Sequence, residues 1–166
     1  MAELEFLSKY SGESTTQLLA YEGRCRVDSI VLAFEQAIEA KAAADRTLSS
    51  EEEVVLAIEA LEREVNNGGY DQFFRNSSKA FAPNIVGALD RIGCPACARI
   101  TAAALAALPL AGPPTEAAID RAMAEDSASR SDALSACDAD YFRNTEDIAG
   151  RLFAFLKANH QSIQLG

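Results

Sequence analysis

Tryptophan is absent from this chain of 166 residues, and histidine occurs once, as His160. A Ser-His or Cys-His device would have to run through that one residue, near the C-terminus, in a stretch expected to fray. His160 therefore reads as a surface side chain. Multi-histidine metal centres are excluded on the same ground, and no Glu-x-x-His pair exists. Glu51, Glu52 and Glu53 are consecutive, but neighbouring positions on a helix point in different directions, so they do not read as a cation site. Basic residues are few, 15 against 25 acids, giving a formal charge of −10 and a pI near 4.6. That balance argues against a basic footprint for nucleic acid. No apolar run approaches the roughly 18 residues of a membrane helix. No segment shows the strict alternation of a half-buried strand, and no internal repeat is visible. The leading stretch, MAELEFLSKYSGES, opens with acids and has no basic n-region or apolar h-region. It does not read as a signal peptide, so a cytoplasmic protein is expected. Cys25, Cys94, Cys97 and Cys137 then read as small buried apolar residues, not as disulfides.

What is present suits one soluble domain: 49% hydrophobic residues and 24% charged. The charge is uneven. Residues 1–66 carry a net −8, residues 67–115 a net +2 and residues 116–166 a net −4. The middle is Ala-rich and nearly uncharged, as a buried helical hairpin would be, and the acids lie on its flanks. Helical periodicity dominates. Leu18, Leu19, Val27, Ile30, Val31, Phe34 and Ile38 mark about residues 15–44, with Gly23 as a dividing point. Ser49 and Ser50 each have a Glu three residues on, the sign of a capping box. Val54, Ile58, Leu61 and Val65 then share one face, with Glu52, Glu59 and Arg63 placed opposite. Pro83 and Pro95 suit first helical turns, and residues 109–114 are the clearest loop. A helix over about 115–125, an exposed polar stretch at 126–132 and a last helix over about 145–159 complete the pattern. The expectation is an all-α single domain of six to eight helices over residues 1–166, with residues 1–29 as a helical extension.

The helix beginning near Ser50 runs into Asn66-Asn67-Gly68-Gly69. No lysine accompanies these residues and a helix precedes them, so they are not a phosphate loop. They read as a corner between two helices, which glycine permits. Asn66, Asn67, Gln72 and Asn76 would satisfy the backbone groups freed there, and Tyr70, Phe73 and Phe74 would pin the corner to the core. The other motif with chemical appeal is Cys94-Pro95-Ala96-Cys97. A CxxC at a helix start can lower a thiol pKa, yet the βαβ context of dithiol redox proteins is missing.

The stretch Glu64-Val65-Asn66-Asn67-Gly68-Gly69-Tyr70-Asp71-Gln72-Phe73-Phe74-Arg75-Asn76 resembles the signature of a bacterial DNA-mimic protein family. Matching features are Leu48-Ser49-Ser50-Glu51, Ala88-Leu89 leading to Ile92-Gly93, the alanine-rich helix after it, and 138–142 with a closing helix. The resemblance covers about residues 30–158. It implies an all-helical fold, a homodimer and no enzymatic activity; from the residues themselves, no cofactor or metal is expected. It also implies a partner that is a basic DNA-binding protein, such as a transcription regulator, whose DNA site is occupied by ordered carboxylates. Cys94-Pro95 departs from the pattern, so the thiols gain no family role. On this chain the acids expected to face a partner are Glu35, Glu39, Glu51, Glu52, Glu53, Glu59 and Glu62. Two other readings fit the sequence: an immunity-type antitoxin against a basic toxin, and a thiol redox protein using Cys94 and Cys97.

Overall fold

Short polar side chains mark where most of the helices begin. The computed structural model describes residues 2–166. Ser14 closes a capping box with Gln17 at the head of α1 (Thr15–Leu19). Ser49 and Glu52 exchange two hydrogen bonds at the head of α3 (Ser50–Arg75). Thr115, Ser127 and Asp147 cap α6 (Glu116–Met123), α7 (Ala128–Arg143) and α8 (Ile148–Ala158). Each side-chain oxygen accepts from an N–H that the helix itself leaves unpaired. Pro95 opens α5 (Pro95–Ala106), where its missing N–H costs nothing. With α2 (Val27–Ala43) and α4 (Ile85–Arg91) there are eight α-helices and no strand among the described residues. The fold is all-α, as the periodicity predicts. Its contacts fall into two compact units, one running to residue 59 and resuming at 147, the other comprising residues 60–146.

In the first unit α2 packs against α1 and α8. Ile30, Phe34, Ile38, Val55, Ile58, Leu152 and Leu156 are buried there. The periodicity over about residues 15–44, divided near Gly23, corresponds to α1 and α2, but residues 1–29 as a whole are not the helical extension expected. Between residues 2 and 26 only the five residues of α1 are helical. The Glu5 N–H donates to Arg24 O and its carbonyl accepts from the Arg26 N–H, so residue 5 pairs sideways instead of along a helix. Gly23, at φ +78, makes the turn that separates α1 from α2. At the other end Ile163 is buried and the Gln164 backbone reaches Glu52 and Lys41.

In the second unit α5 packs against α4 and α7. The distal part of α3 supplies Tyr70, Phe73 and Phe74, all fully buried. The Tyr70 hydroxyl lies 2.8 Å from Thr101 Oγ1 on α5. Residues 126–132 are mostly exposed, as expected of this polar stretch, and they also contain the start of α7. Arg130 is buried there, and its Nη1 donates to Ala122 O at 2.8 Å and Glu125 O at 2.9 Å. An arginine thus closes the carbonyl end of α6, which draws it inward despite its charge.

Glu146 does the converse at the amide end of α5. Its two oxygens accept from the Ala96 and Cys97 N–H groups, each at 2.8 Å. Desolvation alone would raise its pKa, but the Cys97 and Ala96 N–H groups and the Asn144 side chain together hold the carboxyl below its ordinary value. A folded-state pKa that is depressed adds stability above the unfolded value near 4.5, and that stability is lost as pH falls through the folded value. Glu146→Gln is therefore expected to be less stable than the parent above about pH 5, with the gap closing on acidification. Urea melts of both proteins across that range check it. A gap independent of pH would mean that the charge at this helix end contributes nothing.

Candidate functional site

The Asn-Asn-Gly-Gly corner is a break in α3 at two glycines, and the second holds a conformation that side chains resist. Gly68 has φ −156 and ψ 16, and Gly69 has φ +75 and ψ −175, which interrupts α3. The second of these is a region open essentially to glycine alone. Both positions are also crowded. A Cβ at Gly68 would lie 2.0 Å from Gln72 Oε1, and one at Gly69 would lie 2.3 Å from Asp138 Oδ2. After the turn, Tyr70, Phe73 and Phe74 enter the core as the sequence predicts.

The groups that hold the corner are not the ones predicted. Asn66 and Asn67 are exposed, and Asn66 Nδ2 only bonds back to Glu62 O at 2.7 Å. Two carboxylates take over. Glu64 Oε2 accepts from Gln72 Nε2 at 2.7 Å and from Asn76 Nδ2 at 3.0 Å, spanning the break. Asp138, from α7, accepts the Tyr70 N–H at 2.8 Å. A charged acceptor satisfies a donor left over at the break better than an amide does. Gln72 and Asn76 thus take part in the corner, but by bonding the Glu64 side chain and not the backbone groups as predicted, and Asp138 was not foreseen as part of the corner.

The seven acids expected at a partner surface separate by burial. Glu52 is fully buried. Its Oε1 accepts from Lys41 Nζ at 2.9 Å and the Gln164 N–H at 2.8 Å, and its Oε2 from Lys41 Nζ at 2.8 Å and the Ser49 N–H at 3.0 Å. Glu35 is also buried, on the inner side of α2. Neither can meet a partner, which corrects the expectation for both. Glu62 is half-buried and accepts from the Tyr141 hydroxyl, so it serves the second unit's interior more than its surface. Glu39 and Glu53 are exposed, and Glu51 and Glu59 are partly so. These four, on α2 and the first turns of α3, are what remains of the predicted surface.

The thiol pair lacks the setting that redox chemistry requires. Cys94 and Cys97 form no disulfide and have no exposed surface. Burial pushes the Cys97 thiol up to about 12, with the Glu62, Cys94 and Glu146 charges adding to it and the Thr101 hydrogen bond opposing. The helix end that would favour a thiolate already holds the Glu146 carboxylate. Among the described residues no group of His, Cys, Asp and Glu side chains is placed to hold a metal. His160 is exposed, its Nδ1 2.9 Å from Lys157 O. Among the described residues no helix is long and apolar enough to cross a membrane.

No curated protein and no solved structure matches the chain. A family model does: that of the DMP19-like proteins covers residues 46–159, from just before α3 to the end of α8, and so includes the corner and both carboxylates that hold it. On that match the chain belongs to the DMP19-like protein family.

Proposed function

We propose that this chain is a DNA mimic: a non-enzymatic acidic protein that occupies the DNA-binding surface of a basic partner, such as a transcription regulator. Family membership carries the reading, and the net charge of −10 supports it. B-DNA presents about one charge per 1.7 Å of axis, and the Arg and Lys residues of a regulator are spaced to meet that array. Carboxylates fixed on helices imitate part of it. Glu39, Glu51, Glu53 and Glu59 are the acids of the first unit assigned to this role, and the working form is a homodimer in the cytoplasm.

The test begins with tagged protein in a nuclease-treated native lysate of the source organism, at low and moderate salt. The expected catch is a basic DNA-binding protein, lost as salt rises and displaced by its own operator DNA. Glu39, Glu51, Glu53 and Glu59 changed together to Gln are then expected to weaken that complex about 10- to 100-fold with helicity unchanged, if each exposed charge contributes a few tenths of a kcal/mol. Recovery of a toxin nuclease would put an immunity role in place of mimicry. Recovery of nothing basic at low salt would reduce the acids to a solubility feature.

A further inference from the structure

A cleft of about 480 Å³ opens in the second unit between the loop at residues 109–111 and the α6–α7 connection. That volume suits a small ligand. Its apolar lining comes from Pro109, Leu110 and four alanines, and its charged lining from Arg121, Glu125, Asp126 and Arg130.

The two arginines are not in the same state. Arg121 is exposed, and its side chain makes no hydrogen bond or ion pair. Arg130 is 6% exposed and anchored through Nη1 alone, to two carbonyls. Its Nε is the one buried side-chain nitrogen or oxygen without a partner among the described residues. Nη2 has no protein acceptor either. The Nε–Nη2 edge of a guanidinium is the geometry that takes a carboxylate in two parallel hydrogen bonds. A buried donor without a protein acceptor costs about 1–3 kcal/mol unless a ligand or a water meets it, so Arg130 offers a donor that a ligand in the cleft can satisfy.

Glu125 and Asp126 are exposed, so solvent and salt screen them more than Arg130. They still stand against a ligand of high negative charge. The α7 N-terminus adds a further positive contribution, since no acid lies in its first turn. One negative charge with an apolar tail satisfies all of these constraints, and a polyphosphate does not.

We propose that this cleft binds a small monocarboxylate with an apolar tail, the carboxylate on Arg130 and Arg121 and the tail against Leu110 and the alanines. This site is separate from the acids assigned to mimicry and does not depend on that role.

The probe is 4-methylpentanoate, titrated into the full ¹⁵N-labelled chain and followed by amide shifts. Saturable shifts at residues 109–111 and 118–130 are expected, with Arg121→Gln weakening binding about fivefold, as loss of one exposed charge contact would. Arg121 is on the surface, so this variant is expected to keep the parent spectrum elsewhere. Arg130→Lys keeps a charge but loses the planar fork, and is expected to weaken binding more than Arg121→Gln does. Inorganic phosphate and 4-methylpentan-1-ol serve as comparators. Absence of saturation would overturn the proposal. So would equal affinity for the alcohol, equal affinity for phosphate, or Arg121→Gln binding as tightly as the parent.

Discussion

Replacing Glu52 with alanine is expected to lower the unfolding free energy by about 3–5 kcal/mol, the cost of stranding one member of a buried ion pair. Lys41, 9% exposed, would keep only the Gln164 carbonyl, 3.1 Å from Nζ. The Ser49 and Gln164 N–H groups would lose their acceptor as well. Against a total of about 5–15 kcal/mol for a typical domain, that loss is large. Guanidinium melts measure it directly. A double change, Lys41→Met with Glu52→Leu, separates two contributions. Apolar replacement of a whole buried pair is often neutral or better. Here the Ser49 and Gln164 groups remain orphaned, so the double variant is expected to fall between the parent and Glu52→Ala. A loss below about 1 kcal/mol for Glu52→Ala would be the size of a surface pair and would return Glu52 to the solvent-facing acids.

That result bears on how much the amino-acid sequence reveals. The capping box at Ser49 and Glu52 was legible, because it is local. What Glu52 does with its remaining capacity was not, because Lys41 and Gln164 lie 11 and 112 residues away. Periodicity assigned Glu52 to the polar face by residue type, and the buried lysine opposite reverses that assignment. Arg130 was misread for the same reason: a charged side chain in a Ser/Asp-rich stretch reads as solvated until the carbonyl end of α6 is placed beside it. Glu35 carries no local mark of burial at all. By contrast, Tyr70, Phe73 and Phe74 were legible, since three large apolar side chains just after a glycine pair have few places to go except inward. Helix positions survived for a similar reason. Serine, threonine, aspartate and proline act on their own neighbours, so α3, α5, α6 and α8 lie close to where the sequence places them.

Gly69→Ala is expected to be the most damaging change of a single methyl group in the chain. Two costs coincide. At φ +75 and ψ −175 a side chain adds backbone strain of about 1–3 kcal/mol. The new Cβ would also lie 2.3 Å from Asp138 Oδ2, so Asp138 must withdraw. Withdrawal breaks its bond to the Tyr70 N–H, and a hydrogen bond to a charged group contributes about 1.5–3 kcal/mol. Gly69→Ala alone is thus expected to cost about 3–5 kcal/mol. Asp138→Ala alone should cost only the hydrogen bond, about 1.5–3 kcal/mol. The two should not add. Once Asp138 is gone the methyl group has room, so the double variant should be little worse than Gly69→Ala. Equilibrium melts of the four proteins give the coupling. Simple additivity would mean that Asp138 does not sense a side chain at position 69. The packing of Gly69 against Asp138 would then not explain why the corner requires glycine, and backbone conformation would be its sole cause.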